Sequence, residues 1–266
     1  MSAVAGQSVH IHPTAVVDPS AKVPESCRIG PYCTVGAAVE MGEHCELISH
    51  VVLDGPTRLG SHNRIFPFAS VGLEPQDLKF AGEKTWLEIG GHNTIREFVT
   101  IHRGTVGGGG ITRVGSHCLI MAYTHIAHDC TIGDHVIMAN GATLAGHVTV
   151  EDWATVGALC PVHQFVRIGA HAYIGGGTVI TQDVLPFSLT SASRNNRAYG
   201  VNTVGLERRG FSADRVKKIR HAFRVLLNSK LNIADALEKL KSGPDAGDDV
   251  ARLLRFIETS ERGIIK

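Results

Sequence analysis

Aliphatic residues recur at every sixth position through most of this 266-residue chain. Ile11, Val17, Val23, Ile29, Val35, Met41, Leu47, Leu53, Leu59, Ile65 and Val71 keep step. Ile89, Ile95 and Ile101 form a second run, and a third extends from Val114 through Ile120, Ile126 and Ile132 to Ile180. Helices repeat near 3.6 residues and strands alternate by two, so neither gives this period. Hexads are the mark of a parallel β-helix, in which three short strands make a coil and coils stack. A second slot lies four residues after the aliphatic one and holds small or apolar side chains: Ala15, Cys27, Cys33, Cys45, Ala69, Cys118, Cys130, Val136, Val148, Ala154 and Cys160. It faces a narrow interior beside the next coil, where a compact hydrophobe fits.

The coils are expected from about Ile11 to Pro186, after a polar lead-in. They form roughly ten turns at ~4.8 Å each. Two breaks interrupt them. Between Val71 and Ile89 the hexad would place Asp77 and Glu83 in the core, which unpaired acids cannot occupy. Residues 73–86 are therefore expected to leave the coil as a loop. Residues 104–111 hold four consecutive glycines and read as a second, flexible loop. After Pro186 the hexad ends and three short helices are predicted: one from Ser212 as N-cap, one capped by Asn232 and running to about Lys241, and one from about Asp248 to Ser260. The expected organisation is thus a parallel β-helix over 1–187 and a helical domain over 188–266.

Composition narrows the function classes. All six cysteines fall on the second slot, with no C-x-x-C pair. They read as reduced core thiols rather than disulfides or metal ligands, which points to the cytoplasm. A formal net charge of +1 gives no field for nucleic acid. No apolar run reaches membrane-spanning length, and no signal segment precedes the coils, so no stable membrane insertion is expected. No cofactor or metal is implied.

Histidine carries the candidate chemistry. Fourteen histidines precede the helical cap, none in a core slot, so all are expected to face outward. His44, His50, His62, His92, His117, His135, His147 and His171 each lie three residues after the repeat aliphatic, at an expected corner where unusual backbone angles are tolerated. Most of these read as structural. His125 and His128 fall off that slot, three apart, and Asp129 follows directly. A carboxylate beside an imidazole can fix its tautomer and stabilise imidazolium. Adding eighteen residues to His128 gives Gly146, beside His147; adding thirty-six gives Gln164, beside His163. These groups are expected to line one strip.

The stretches Q-D-L-K-F-A-G-E (76–83), I-H-R-G-T (101–105), T-H-I-A-H-D-C (124–130), A-N-G-A-T-L-A-G-H-V (139–148), V-H-Q-F (162–165) and G-L-E-R-R-G-F (205–211) add specificity that the bare hexad lacks. Across essentially the whole chain they resemble the UDP-N-acetylglucosamine acyltransferases of lipid A biosynthesis, which have a left-handed parallel β-helix. The resemblance implies transfer of an (R)-3-hydroxyacyl chain from acyl carrier protein to the glucosamine 3-hydroxyl of UDP-N-acetylglucosamine, in a homotrimer with sites between subunits. By it, His128 is the general base with Asp129 beside it, and the Gly146 N–H is the oxyanion donor. Gln76, Asp77, Lys79, His125, His147, His163 and Gln164 contact substrate. Asn202, Arg208 and Arg209 face the nucleotide, and Gly176 marks the acyl-chain ruler. The chain departs from the family at Val204, where an acid is usual, and in the segment 190–199.

From Glu207 to Lys230, eight basic residues stand against two acidic ones. This face suits an acidic carrier protein. Three other readings stay open on the residues alone. They are another hexapeptide acyl- or acetyltransferase, a zinc enzyme using His102, His125 and His128, and a non-catalytic solenoid. A donor assay separates the first, metal analysis the second, and absence of any transferase activity the third.

Overall fold

The computed structural model describes residues 11–191, 197–228, 231–243 and 247–265. The lead-in at 1–10 and part of the segment 190–199 lie outside them. The chain divides into two compact units, Met1–Asp129 and Cys130–Lys266.

In the first unit, two- to four-residue strands stack in parallel on three faces. One face runs Val16–Val17, Thr34–Val35, Val52–Leu53, Ser70–Leu73, Thr100–His102, His125–Ile126. A second runs Arg28–Ile29, Glu46–Leu47, Arg64–Ile65, Thr94–Ile95, Leu119–Ile120, and the third Val39–Met41, Thr57–Leu59, Trp86–Ile89, Ile111–Val114. Val16 pairs with Thr34 and Thr34 with Val52, the eighteen-residue coil. Where a loop is ejected the offset grows: Leu87 pairs with Thr57 and Trp86 with Ile111. The hexad aliphatics form the core, with Leu53, Ile65, Ile95 and Ile101 fully buried. All six cysteines are buried thiols outside any disulfide, and burial raises the Cys45 thiol to about 11.

The second slot is less uniformly apolar than expected. Asn63 and Asn93 occupy it, both buried. Asn63 Nδ2 donates to the Gly60 and Gly90 carbonyls, Asn93 Nδ2 to those of Gly90 and Gly115, and Asn63 Oδ1 accepts the Asn93 N–H. Each amide spans two coils, so the polar side chains are fully used inside the coil.

The corner slot is borne out. All eight histidines three residues after an aliphatic have φ between 52° and 63°. They share the slot with Tyr32, Phe68, Phe98 and Tyr123, and rings in successive coils stack. His44, His62, His92 and His117 form one column at centroid spacings of 4.9, 4.6 and 4.8 Å. Tyr32, His50, Phe68, Phe98 and Tyr123 form another at 4.8–5.1 Å.

The second unit repeats the parallel stacking, with Tyr173–Ile174 on Thr155–Val156 and Ile137–Met138. Two elements were not anticipated. Ser188–Ser191 extends this sheet beside Tyr173–Ile174, and Arg197–Val201 pairs with it antiparallel. Among the described residues four α-helices follow rather than three: α1 (Thr203–Arg208), α2 (Ala213–Asn228), α3 (Ile233–Lys241) and α4 (Asp248–Glu258). Asn202, Ser212 and Asn232 accept N–H groups at the starts of α1, α2 and α3. The helices bury Leu206, Ile219, Ala222, Leu253 and Phe256 against Leu185 and Phe187 of the last coil. Among the described residues no helix is long and apolar enough to cross a membrane.

Candidate active site

The strand Thr100–His102 and the four residues after it organise the first unit's chemistry. The ladder shifts register between Ile101 and His102. That bulge takes His102 out of the outward series; it is only 5% exposed, contrary to expectation. Its ring meets His125 edge-on at 5.1 Å, and its Nδ1 has no hydrogen-bond partner among the described residues. Burial, reinforced by His125, His128 and Arg103, drives the His102 pKa down to about 4. Burial and His128 also lower His125, whose Nδ1 lies 2.7 Å from Thr100 Oγ1. Neither ring is a resident cation at neutral pH.

Arg103, nearly buried, turns toward the first loop. Its N–H donates to the Leu73 carbonyl and its guanidinium to the Gly72 carbonyl, and it lies 3.5 Å from Glu74 and over the Phe80 ring. The base of the ejected loop is thereby pinned. Gln76 and Lys79 are exposed at its tip, while Asp77 Oδ1 accepts the Lys79 N–H and shapes the turn.

His128 and Asp129 are brought together as expected, with His128 Nδ1 2.7 Å from Asp129 Oδ2. Asp129 takes the corner slot at φ 61°, and its carboxylate has no solvent exposure. Thr105 donates to both oxygens: N–H to Oδ1 at 2.8 Å and Oγ1 to Oδ2 at 2.6 Å. The glycine-rich loop is therefore not the loose segment the sequence implied. It folds as a short 3-10 turn over Val106–Gly108, capped by Thr105, and wraps this carboxylate. A Cβ on Gly108 would lie 2.0 Å from Asp129 Cγ, so any side chain there would have to displace that carboxylate. Thr105, Gly108 and Arg103 were missed as site residues, although the first two stand in the loop that interrupts the hexad.

In the second unit, Gly146 and Gln164 hold the eighteen-residue register, since Leu144 pairs with Val162. The Gly146 carbonyl accepts the Phe165 N–H. His147 stacks on Phe165 at 4.4 Å, while His163 and Gln164 are exposed, with His163 Nδ1 3.1 Å from the Gln164 carbonyl. Gly176 is an exposed corner residue, and a Cβ there would sit 3.3 Å from the Ala158 carbonyl oxygen. Asn202, Arg208 and Arg209 border a cavity of about 590 Å³ with Tyr173, Leu189 and Val204. Asn202 is largely occupied by structure: Oδ1 caps α1 at Gly205 and Nδ2 donates to the His171 carbonyl. Arg209 Nη1 is buried with no hydrogen-bond partner among the described residues, over the Trp153 ring, which suits an anionic ligand.

A family model described as Udp N-acetylglucosamine O-acyltransferase, domain 2, matches residues 183–265. The six-repeat bacterial transferase hexapeptide model matches 111–146. The chain is 50% identical over 256 residues to the acyl-[acyl-carrier-protein]–UDP-N-acetylglucosamine O-acyltransferase of Xanthomonas axonopodis pv. citri, covering 96% of this chain and 97% of that one. It is 49% identical to the protein of the same name from Myxococcus xanthus, with 96% and 99% covered. The crystal structure of UDP-N-acetylglucosamine O-acyltransferase from Moraxella catarrhalis superposes with a TM-score of 0.93 at 43% identity, over 97% of this chain and 100% of that one. The fold is accordingly mainly β, a left-handed parallel β-helix with helices at its C-terminal end.

Proposed function

Because the chain belongs to the UDP-N-acetylglucosamine O-acyltransferase family, we propose that it moves a 3-hydroxyacyl chain from acyl carrier protein to the glucosamine 3-hydroxyl of UDP-N-acetylglucosamine, with His128 as general base. The observation that carries the reading is the His128–Asp129 pair, 2.7 Å apart and clamped from behind by Thr105. With Nδ1 donating to Asp129, the lone pair of the imidazole lies on Nε2. Nε2 removes the 3-hydroxyl proton as the oxygen attacks the thioester carbonyl. Collapse of the tetrahedral intermediate expels the carrier's thiolate, which takes the proton back from the imidazolium.

The Gly146 N–H is assigned to the oxyanion, where a preorganised donor lowers the barrier most. Gln76, Asp77 and Lys79 on the pinned loop, with His125, His147, His163 and Gln164, are assigned to substrate. The cavity bordered by Asn202, Arg208 and Arg209 is assigned to the nucleotide, with Val204 giving it an apolar wall in place of an acid. Gly176 is assigned to the end of the acyl groove, left open for a long chain. The coils over 1–187 would carry the chemistry and the helical region over 188–266 the docking of the carrier. The working form would be a cytoplasmic homotrimer, so light scattering should give three times the 28.4 kDa chain mass.

The test is mass spectrometry of the product formed from UDP-N-acetylglucosamine and a mixture of carrier-bound hydroxyacyl chains. The reading expects a mono-O-acylated sugar nucleotide enriched in the longer chains. Acetyl transfer from coenzyme A with no hydroxyacyl product would instead place the chain among other hexapeptide transferases.

A further inference from the structure

Four groups converge on the Asp129 carboxylate. His128 Nδ1 and Thr105 Oγ1 meet Oδ2 at 2.7 and 2.6 Å, the Thr105 N–H meets Oδ1 at 2.8 Å, and Gly108 passes so close that a Cβ there would lie 2.0 Å from Cγ. The hydroxyl's direction is itself set. Gly108 N–H donates to Thr105 Oγ1 at 3.2 Å, so the one hydroxyl proton is directed to Oδ2. The aspartate backbone is tied separately, its N–H donating to Thr112 Oγ1 at 2.7 Å. An aspartate's terminal torsion is broad and roughly two-fold. Without the two Thr105 donors the carboxylate would lose contacts to both of its oxygens and could swivel, carrying the ring with it.

We infer that Thr105 is a positioning residue for acyl transfer: its N–H and hydroxyl lock the Asp129 carboxylate so that Oδ2 holds His128 in one tautomer and one orientation. The inference rests on the reading of His128 as base. On this account the second ejected loop is the rear wall of the catalytic pair. Its glycines permit the approach, and Thr105 makes the contact.

Thr105→Val keeps the N–H bond to Oδ1 and removes the hydroxyl donor, while Thr105→Ser keeps both. A hydrogen bond to a charged group is commonly large enough to change a rate by about tenfold or more. Thr105→Val should therefore lower kcat by at least about that factor, with KM for both substrates within about twofold, and Thr105→Ser should restore most of it. With one donor gone, Oδ2 leans more strongly on imidazolium. The acidic limb of the kcat/KM–pH profile should then move to higher pH in the valine variant and stay in place in the serine variant. A loop that only needs its own shape would move neither the profile nor kcat selectively.

In an Asp129→Asn background, Thr105→Val should cause no further loss, because Thr105 acts through that carboxylate. If the valine variant does not fold, Gly108→Ala serves instead. Its methyl displaces the carboxylate, and the same kcat-selective loss is expected. An unchanged kcat, an equal loss in the serine variant, or losses that add in the double variant would each overturn the inference. The double variant is read without reference to His128, so failure of the base assignment shows separately, as retained turnover in His128→Ala.

Discussion

His171 shows what a corner histidine costs. Its backbone sits at φ 59°, its ring lies against Phe187 and edge-on to Phe211, and its Nδ1 is buried with no partner among the described residues. Burial first, then Arg209 and Arg252, push its pKa down to about 4 from 6.5. A histidine with a depressed pKa gains its proton on unfolding, so its contribution to stability is complete above about pH 6.5 and lost as pH falls toward 4. Phe165 and Phe187 show that phenylalanine accepts the same slot, at φ 63° and 67°. His171→Phe should therefore lose less melting temperature between pH 7 and pH 4.5 than the unmutated protein. Equal losses would mean that this ring is not what acid attacks. Spacing alone revealed the corner histidines, because the hexad fixes where every corner falls. It could not reveal Thr105 or the burial of His102. Those depend on a register shift and on contacts across twenty-four residues, which no local pattern encodes.

Among the elements, α2 carries the basic face, and its charges are not equivalent. Arg215 makes a bidentate pair with Asp249 of α4 at 2.8 Å, and Lys218 pairs with Asp214 at 3.0 Å. Lys217, Arg220, His221 and Arg224 instead line a concavity of about 370 Å³. We assign carrier docking to this second group. Lys217→Glu with Arg224→Glu should raise the KM for acyl carrier protein severalfold and leave that for UDP-N-acetylglucosamine unchanged. Added salt should shrink the difference, since exposed charges are screened beyond ~8–10 Å. An unaltered carrier KM would move docking off this helix. Of the three longer helices, two were legible from their caps, Ser212 and Asn232. The six-residue α1 was not, being too short to show a period. The pair Ser188–Ser191 and Arg197–Val201 was hidden because it breaks register within the ladder, between Leu189 and Thr190, and leaves the hexad.

For the molecule as a whole, the repeat dictates most of the architecture and its interruptions mark much of the chemistry. Acids at the expected core positions 77 and 83 foretold the first loop, and the glycine run foretold the second. What the sequence misjudged was the second loop's character. Glycine reads as freedom along a chain, yet here it permits close packing on a buried carboxylate. The coils supply a rigid frame, one loop is pinned by Arg103, and the other is folded onto Asp129. We take His128 to be the base that this frame holds. Turnover of His128→Ala, measured on protein with an unchanged melting temperature, tests it most directly. A general base is worth about 10²–10⁴-fold, so a loss of at least that lower figure is the predicted result. Retention of more than about a tenth of the unmutated rate would contradict the claim.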